Sequence, residues 1–112
     1  MNLQDVIQQL DLKVLTAPQD FSAVVPTGGY ASDLLSCVMA GAKSGNLWVT
    51  LMSHANIVAV AALTEVSAVI ITENAIPEAD VVAKANEQGV ALLLTPAASY
   101  QVVGRLWELG IR

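Results

Sequence analysis

Two short runs, "VSAVIIT" (66–72) and "VALLLT" (90–95), constrain this chain more than any other feature. Neither alternates apolar with polar residues, so neither suits a sheet with one wet face. An uninterrupted Val, Ile and Leu run of this length is at home in a strand covered on both faces. Between them lie Pro77, Glu78, Asp80 and, at the far end, Gly89. Proline at a first helical position, acids at the positive end of a helix dipole and a closing glycine mark a helix. A strand, a helix and a strand in that order form a parallel crossover unit.

The rest of the chain extends the pattern. Leu3, Val6, Ile7 and Leu10 fall on one helical face, and "LKVLT" (12–16) reads as a strand. "SAVVPT" (22–27) reads as a second extended segment, broken by a turn at Gly28 and Gly29. Leu34, Leu35, Val38, Met39 and Ala42 form the stripe of a helix over about 31–43, stopped by "KSGN". "LWVTLM" (47–52) is a strand. Asn56 is a good N-cap for a helix over 56–64, apolar almost all round and so covered on more than one side. Thr95 caps a last helix that has Pro96 at its first position, Tyr100, Val103 and Trp107 as its stripe and Gly110 as its stop. The order α-β-β-α-β-α-β-α-β-α predicts one α/β domain over 1–112, with a parallel or mixed sheet carrying helices on both faces.

Composition narrows the function. Of the 112 residues 54% are hydrophobic and 13% charged, against about 25% charged in ordinary soluble proteins. Such a composition fits a sheet buried on both faces, and it also predicts that apolar area is hidden in an oligomer, a homodimer in the first instance. The net charge of −5, with five scattered Lys and Arg, speaks against nucleic acid and against an anionic membrane surface. No apolar run approaches a spanning helix. The first ten residues carry an acid where a secretion signal carries bases, and the single Cys37 has no disulfide partner in the chain. A reduced, cytoplasmic protein is expected, with Cys37 as a small core residue.

In an open α/β sheet, ligands bind beyond the carboxyl ends of the strands, where helix N-termini offer free N–H groups. The corners "PTGGYASD" (26–33) and "SHAN" (53–56) hold the side chains best able to specify a ligand. Gly29, Tyr30, Ser32, Asp33, His54 and Asn56 are therefore the candidate binding residues, for a nucleotide or phosphorylated metabolite, or for a partner protein. Catalytic equipment is thin. "GAKSG" (41–45) lacks the spacing of a nucleotide-triphosphate loop, and no dinucleotide fingerprint is present. One His and one Cys do not make a usual zinc site, and the adjacent Ser53 and His54 are poorly placed to form a triad with Asp33. No cofactor, no metal and no enzymatic activity are expected.

Three stretches, "LQDVIQQLDLKVLT", "GGYASDLLSCVMAGAKSGNLWVTLMSHANIVAVAAL" and "SYQVVGRLWELGI", together resemble a stand-alone DRTGG domain over essentially the whole chain. The family is similar in fold to the N-terminal domain of HPr kinase/phosphorylase. Its members also occur within phosphotransacetylases and between CBS domains of some pyrophosphatases. The resemblance implies a regulatory or dimerising module without a catalytic role. At one corner the chain departs from it. Where the name-giving glycine pair should follow "VSAVIIT", the sequence reads Thr72-Glu73-Asn74. An anion approaching backbone N–H groups there would meet a carboxylate.

Overall fold

The computed structural model describes residues 1–112 and contains five helices and five strands. In chain order they are α1 (Leu3–Leu10), β1 (Lys13–Val14), β2 (Gly28–Ala31), α2 (Leu35–Gly41), β3 (Asn46–Thr50), α3 (Asn56–Thr64), β4 (Ala68–Ile71), α4 (Ala79–Gln88), β5 (Leu92–Leu94) and α5 (Ser99–Glu108). The sheet order is β1-β5-β4-β3-β2. Four strands run parallel, and only β1 is antiparallel to its neighbour β5. The sheet is thus mixed but mainly parallel, as the alternation of patterns requires.

Every residue of β3, β4 and β5 is buried, which is why their sequences do not alternate. Odd and even strand positions feed two cores of similar size. On one face Leu47, Val49, Ile70 and Leu93 pack with Val6 of α1 and Val102 and Leu106 of α5. On the other, Trp48, Val69, Ile71 and Leu92 pack with Val38 of α2, Ile57 and Val58 of α3, and Val81 and Ala85 of α4. Helix α3 lies between α2 and α4. Its apolar surface is therefore covered by this chain itself on the sheet side and on both flanks, while Ala59 and Leu63 stay exposed on the outer side.

Several boundaries differ from those expected, each for a local reason. Residues 21–23 form a 3-10 turn, and the second strand comes later, at Gly28–Ala31. Gly28 and Gly29 are consequently strand residues, paired with Asn46 and Leu47, and not a turn. A side chain at Gly28 would lie 3.0 Å from the carbonyl oxygen of Arg112, so close approach explains that glycine. Helix α2 is shorter than the predicted 31–43 because Ser32 and Asp33 are held at the strand end. Asn56 is the first helical residue of α3 and caps nothing; Ala55 occupies the cap position without a side-chain bond. Pro77 precedes α4 by two residues. The hydroxyl of Thr95 accepts from the Ala97 N–H, so the chain makes a turn there before α5 begins at Ser99.

The last helix carries the largest correction. Its buried residues are Val102 and Leu106, while Tyr100 (93% exposed) and Trp107 (58% exposed) face outward. The two candidate stripes lie side by side on the helix, and spacing alone does not choose between them. Cys37 is likewise exposed on α2 and is not a core residue. Glycines Gly89 and Gly110 do end their helices, both at positive φ.

Candidate functional site

The carboxyl ends of the parallel strands share a device that the apolar patterns concealed. Three buried threonines, Thr50, Thr72 and Thr95, stand at the ends of β3, β4 and β5. The Thr50 hydroxyl donates to the Asp33 carboxylate at 2.8 Å and accepts from the Met52 N–H at 3.1 Å. The Thr72 hydroxyl bonds to the Thr50 carbonyl and to the Ser99 hydroxyl. Each satisfies itself where the ladder stops and the chain must leave the sheet, as a buried polar group has to. The sequence did hold a signal for this row: two of the three central apolar runs end in Thr, and the third, "LWVTLM", contains one.

Asp33 is fixed by the same device. It accepts from the Thr50 hydroxyl and from the Leu51 N–H at 2.9 Å, so its carboxylate ties the end of β2 to the end of β3. Beside it, the Ser32 N–H bonds to the Val49 carbonyl, and the Trp48 indole N–H donates to the Ser32 carbonyl at 3.0 Å. Ser32 and Asp33 therefore stand together, held mainly by structural bonds.

The other candidates lie apart from these two. Tyr30 is half-buried against the α2 side of the sheet, and its hydroxyl donates to the Cys37 carbonyl. Gly29 points to the opposite face. There it lines, with Tyr30, Ala31, Val103, Trp107 and Arg112, a mainly apolar cleft of about 140 Å³ between β2 and α5. His54 is exposed and borders a different cleft of about 300 Å³ with Ser53, Ile76, Glu78 and Asp80. Asn56 is exposed at the start of α3. The six residues are not gathered into one pocket.

Charge at this end of the sheet is negative. Asp33 and Glu73 follow β2 and β4, and Glu78 and Asp80 border the His54 cleft. Acidic walls raise the cost of bringing in a phosphate. The Glu73 carboxylate also takes the Ser99 N–H at the N-terminus of α5, at 3.0 Å. No group of three or more His, Cys, Asp or Glu side chains is arranged to hold a metal ion. No helix is long and apolar enough to cross a membrane.

With the parallel sheet, its two helical layers and the polar strand-end corners in view, the comparisons with known proteins fall into place. The DRTGG domain family matches residues 5–109, and the chain belongs to that family. Among solved structures it is similar to the CBS and DRTGG domains of the regulatory region of a Clostridium perfringens pyrophosphatase, complexed with activator, diadenosine tetraphosphate. The TM-score is 0.76 at 17% sequence identity, over 94% of this chain and 45% of that one. The likeness is one of fold, and this chain spans less than half of that structure. No curated protein matches the chain.

Proposed function

We propose that the chain is a non-catalytic regulatory module that works by associating, with a second copy of itself as the basic unit. One observation carries this reading: the outward stripe of α5. Tyr100 and Trp107 are more than half exposed and Val103 lies between them in the helix. Aromatic side chains of this size carry much of the energy of protein interfaces, and a soluble monomer gains little by displaying them together. The low charge content points the same way. Membership in a family that occurs in a pyrophosphatase regulatory region adds support for a regulatory role. Sedimentation velocity from about 1 to 100 μM, a range that brackets micromolar affinity, should give a dimer. A monomer throughout would refute the reading.

A second reading, small-ligand binding, is favoured by the volume and exposure of the Ser53–His54 cleft. The similar pyrophosphatase region holds a dinucleotide activator, which makes nucleosides and nucleotides the first class to screen. Glu78 and Asp80 favour a ligand that turns neutral or cationic groups, such as a base or ribose, toward this wall. A thermal shift that His54→Ala abolishes is the expected result. Because His54 is exposed, that substitution should alter stability by no more than ~0.5 kcal/mol. Equal shifts in the variant and the parent would remove His54 from the site.

A further inference from the structure

We infer that two copies of the chain join through the free edge of β2, pairing antiparallel about a twofold axis at Tyr30, so that one sheet runs through both subunits. The inference rests on the associating-module reading and adds where the second copy sits.

The two edges of the sheet are unlike each other. At one, β1 is two residues long, carries the exposed Lys13 and is followed by Pro18. Short length, lysine and proline are the usual protections of an edge. At the other, β2 is twice as long, reads Gly-Gly-Tyr-Ala and holds neither lysine nor proline within the strand. The Ser32 N–H turns inward to Val49, so the alternation of a strand turns the N–H and C=O groups of Gly29 and Ala31 to the open side. Both residues are exposed and too small to block an approaching backbone.

Between its two ends, the flanks of this edge carry no charge on the β2–α2 side. No charged residue occurs between Asp20 and Asp33 or between Asp33 and Lys43, which covers β2 and all of α2. On the other flank the cleft beside β2 is walled by Val103 and Trp107 of α5. An open strand bordered on both faces by apolar surface is suited to another strand and its own apolar flanks.

Charge complementarity selects a second copy as the occupant. Asp33 lies just beyond the carboxyl end of β2. Arg112 lies at the amino end, where its carbonyl oxygen crowds Gly28 and its guanidinium sits 5.2 Å from the Trp107 ring centre. Antiparallel pairing brings the Asp33 end of each strand toward the Arg112 end of the other. An axis at Tyr30 also sets Gly29 opposite Ala31 of the partner subunit, so that the outward groups of both strands are matched.

The test uses the whole chain. Ala31→Lys places a charge on the open edge without touching the core, and it should weaken dimerisation roughly tenfold or more, with the circular dichroism spectrum unchanged. Tyr30→Cys in a Cys37→Ser background should form a disulfide-linked dimer under mild oxidation. Residues facing each other across a non-hydrogen-bonded antiparallel pair have Cα atoms about 4.5 Å apart, within disulfide reach. Ala31→Cys in the same background should link far less, because it faces Gly29 of the partner subunit. Undiminished dimerisation of Ala31→Lys, or no cross-link through position 30, overturns the pairing and leaves the associating-module reading standing. A wild-type chain that stays monomeric overturns both.

Discussion

Glu73 sits in a left-handed backbone conformation, φ +59°, and its carboxylate accepts the Ser99 N–H at the start of α5. Those two facts act in opposite directions, and replacing Glu73 by glycine separates them. A non-glycine residue in this region costs about 1 kcal/mol relative to glycine. Removing the carboxylate loses a bond to a free helix N–H, worth about 1 kcal/mol, and a favourable dipole interaction of ~0.5 kcal/mol at an exposed site. The sum for Glu73→Gly is a net loss of about 0.5 kcal/mol. Glu65 supplies the control. It ends α3 at φ +57°, and its exposed side chain makes no hydrogen bond. Glu65→Gly should therefore stabilise the fold by about 1 kcal/mol, leaving the two variants ~1.5 kcal/mol apart.

Urea denaturation at one fixed protein concentration is the assay, with concentration held so that association does not mask the difference. At a slope of roughly 1.5 kcal/mol per molar, the midpoints should differ by about 1 M. Glu73→Gln keeps an acceptor but not the charge, and should fall about 0.5 kcal/mol below the parent. If Glu73→Gly raises the midpoint as far as Glu65→Gly does, the carboxylate contributes nothing to α5 and the reasoning is wrong.

Five further substitutions, at four positions, test close packing and buried hydrogen bonds, each by urea midpoint. Gly41→Ala would set a Cβ 2.5 Å from the Tyr30 ring and should cost about 1–3 kcal/mol by overpacking. Gly89→Ala meets no atom within 4 Å, so it should cost only the left-handed strain, ~1 kcal/mol; equal losses at the two sites would refute the close approach. Trp48→Phe removes the indole N–H from the Ser32 carbonyl in a fully buried position, and a loss of about 1–3 kcal/mol is expected. Asp33→Ala leaves the buried Thr50 hydroxyl without its acceptor and should cost a similar ~1–3 kcal/mol. Asp33→Asn retains an acceptor oxygen and should cost clearly less; the same loss in both would exclude the hydrogen bond as the cause.

How much of this was readable beforehand depended on whether one residue or a whole face decided the outcome. Buried strands such as Ala68–Ile71 were legible because every position is apolar, whereas the apolar run of α3 alone also permits a strand, and the Asn56 cap that decided for a helix is not made. The element order followed from these. The edges were not legible. Strand β2 is half glycine, and glycine carries no side chain through which burial can write a pattern. Its strand character comes from pairing with Asn46–Val49, which is tertiary information. The stripe of α5 was misplaced for a related reason. Tyr100, Val103 and Trp107 are as apolar as the Val102 and Leu106 that actually meet the sheet. A stripe prepared for a partner has the same signature as a stripe prepared for a core. Of the candidate residues, Asp33 makes hydrogen bonds that no local pattern announces. Its bond to Thr50 joins the ends of two successive strands across the whole α2 crossover.

The corner at residues 72–74 shows what family membership preserves in this chain and what it does not. Both Glu73 and Asn74 adopt positive φ, the conformation that a glycine pair takes without strain. The turn after β4 therefore has a shape suited to glycines although no glycine occupies it. That shape is held by long-range backbone bonds, from the Glu73 N–H to the Ala97 carbonyl and from the Asn74 N–H to the Thr95 carbonyl. Strain of this kind survives only where the surroundings impose it. The substitution also changes what the corner can receive. With glycine at position 73 the Ser99 N–H at the start of α5 would lack this acceptor; with glutamate, the chain's own carboxylate takes it. An incoming anion would have to displace a tethered group of the same charge. The family's fold thus passes to this chain through its backbone, and an anion-binding use of this corner does not follow from it.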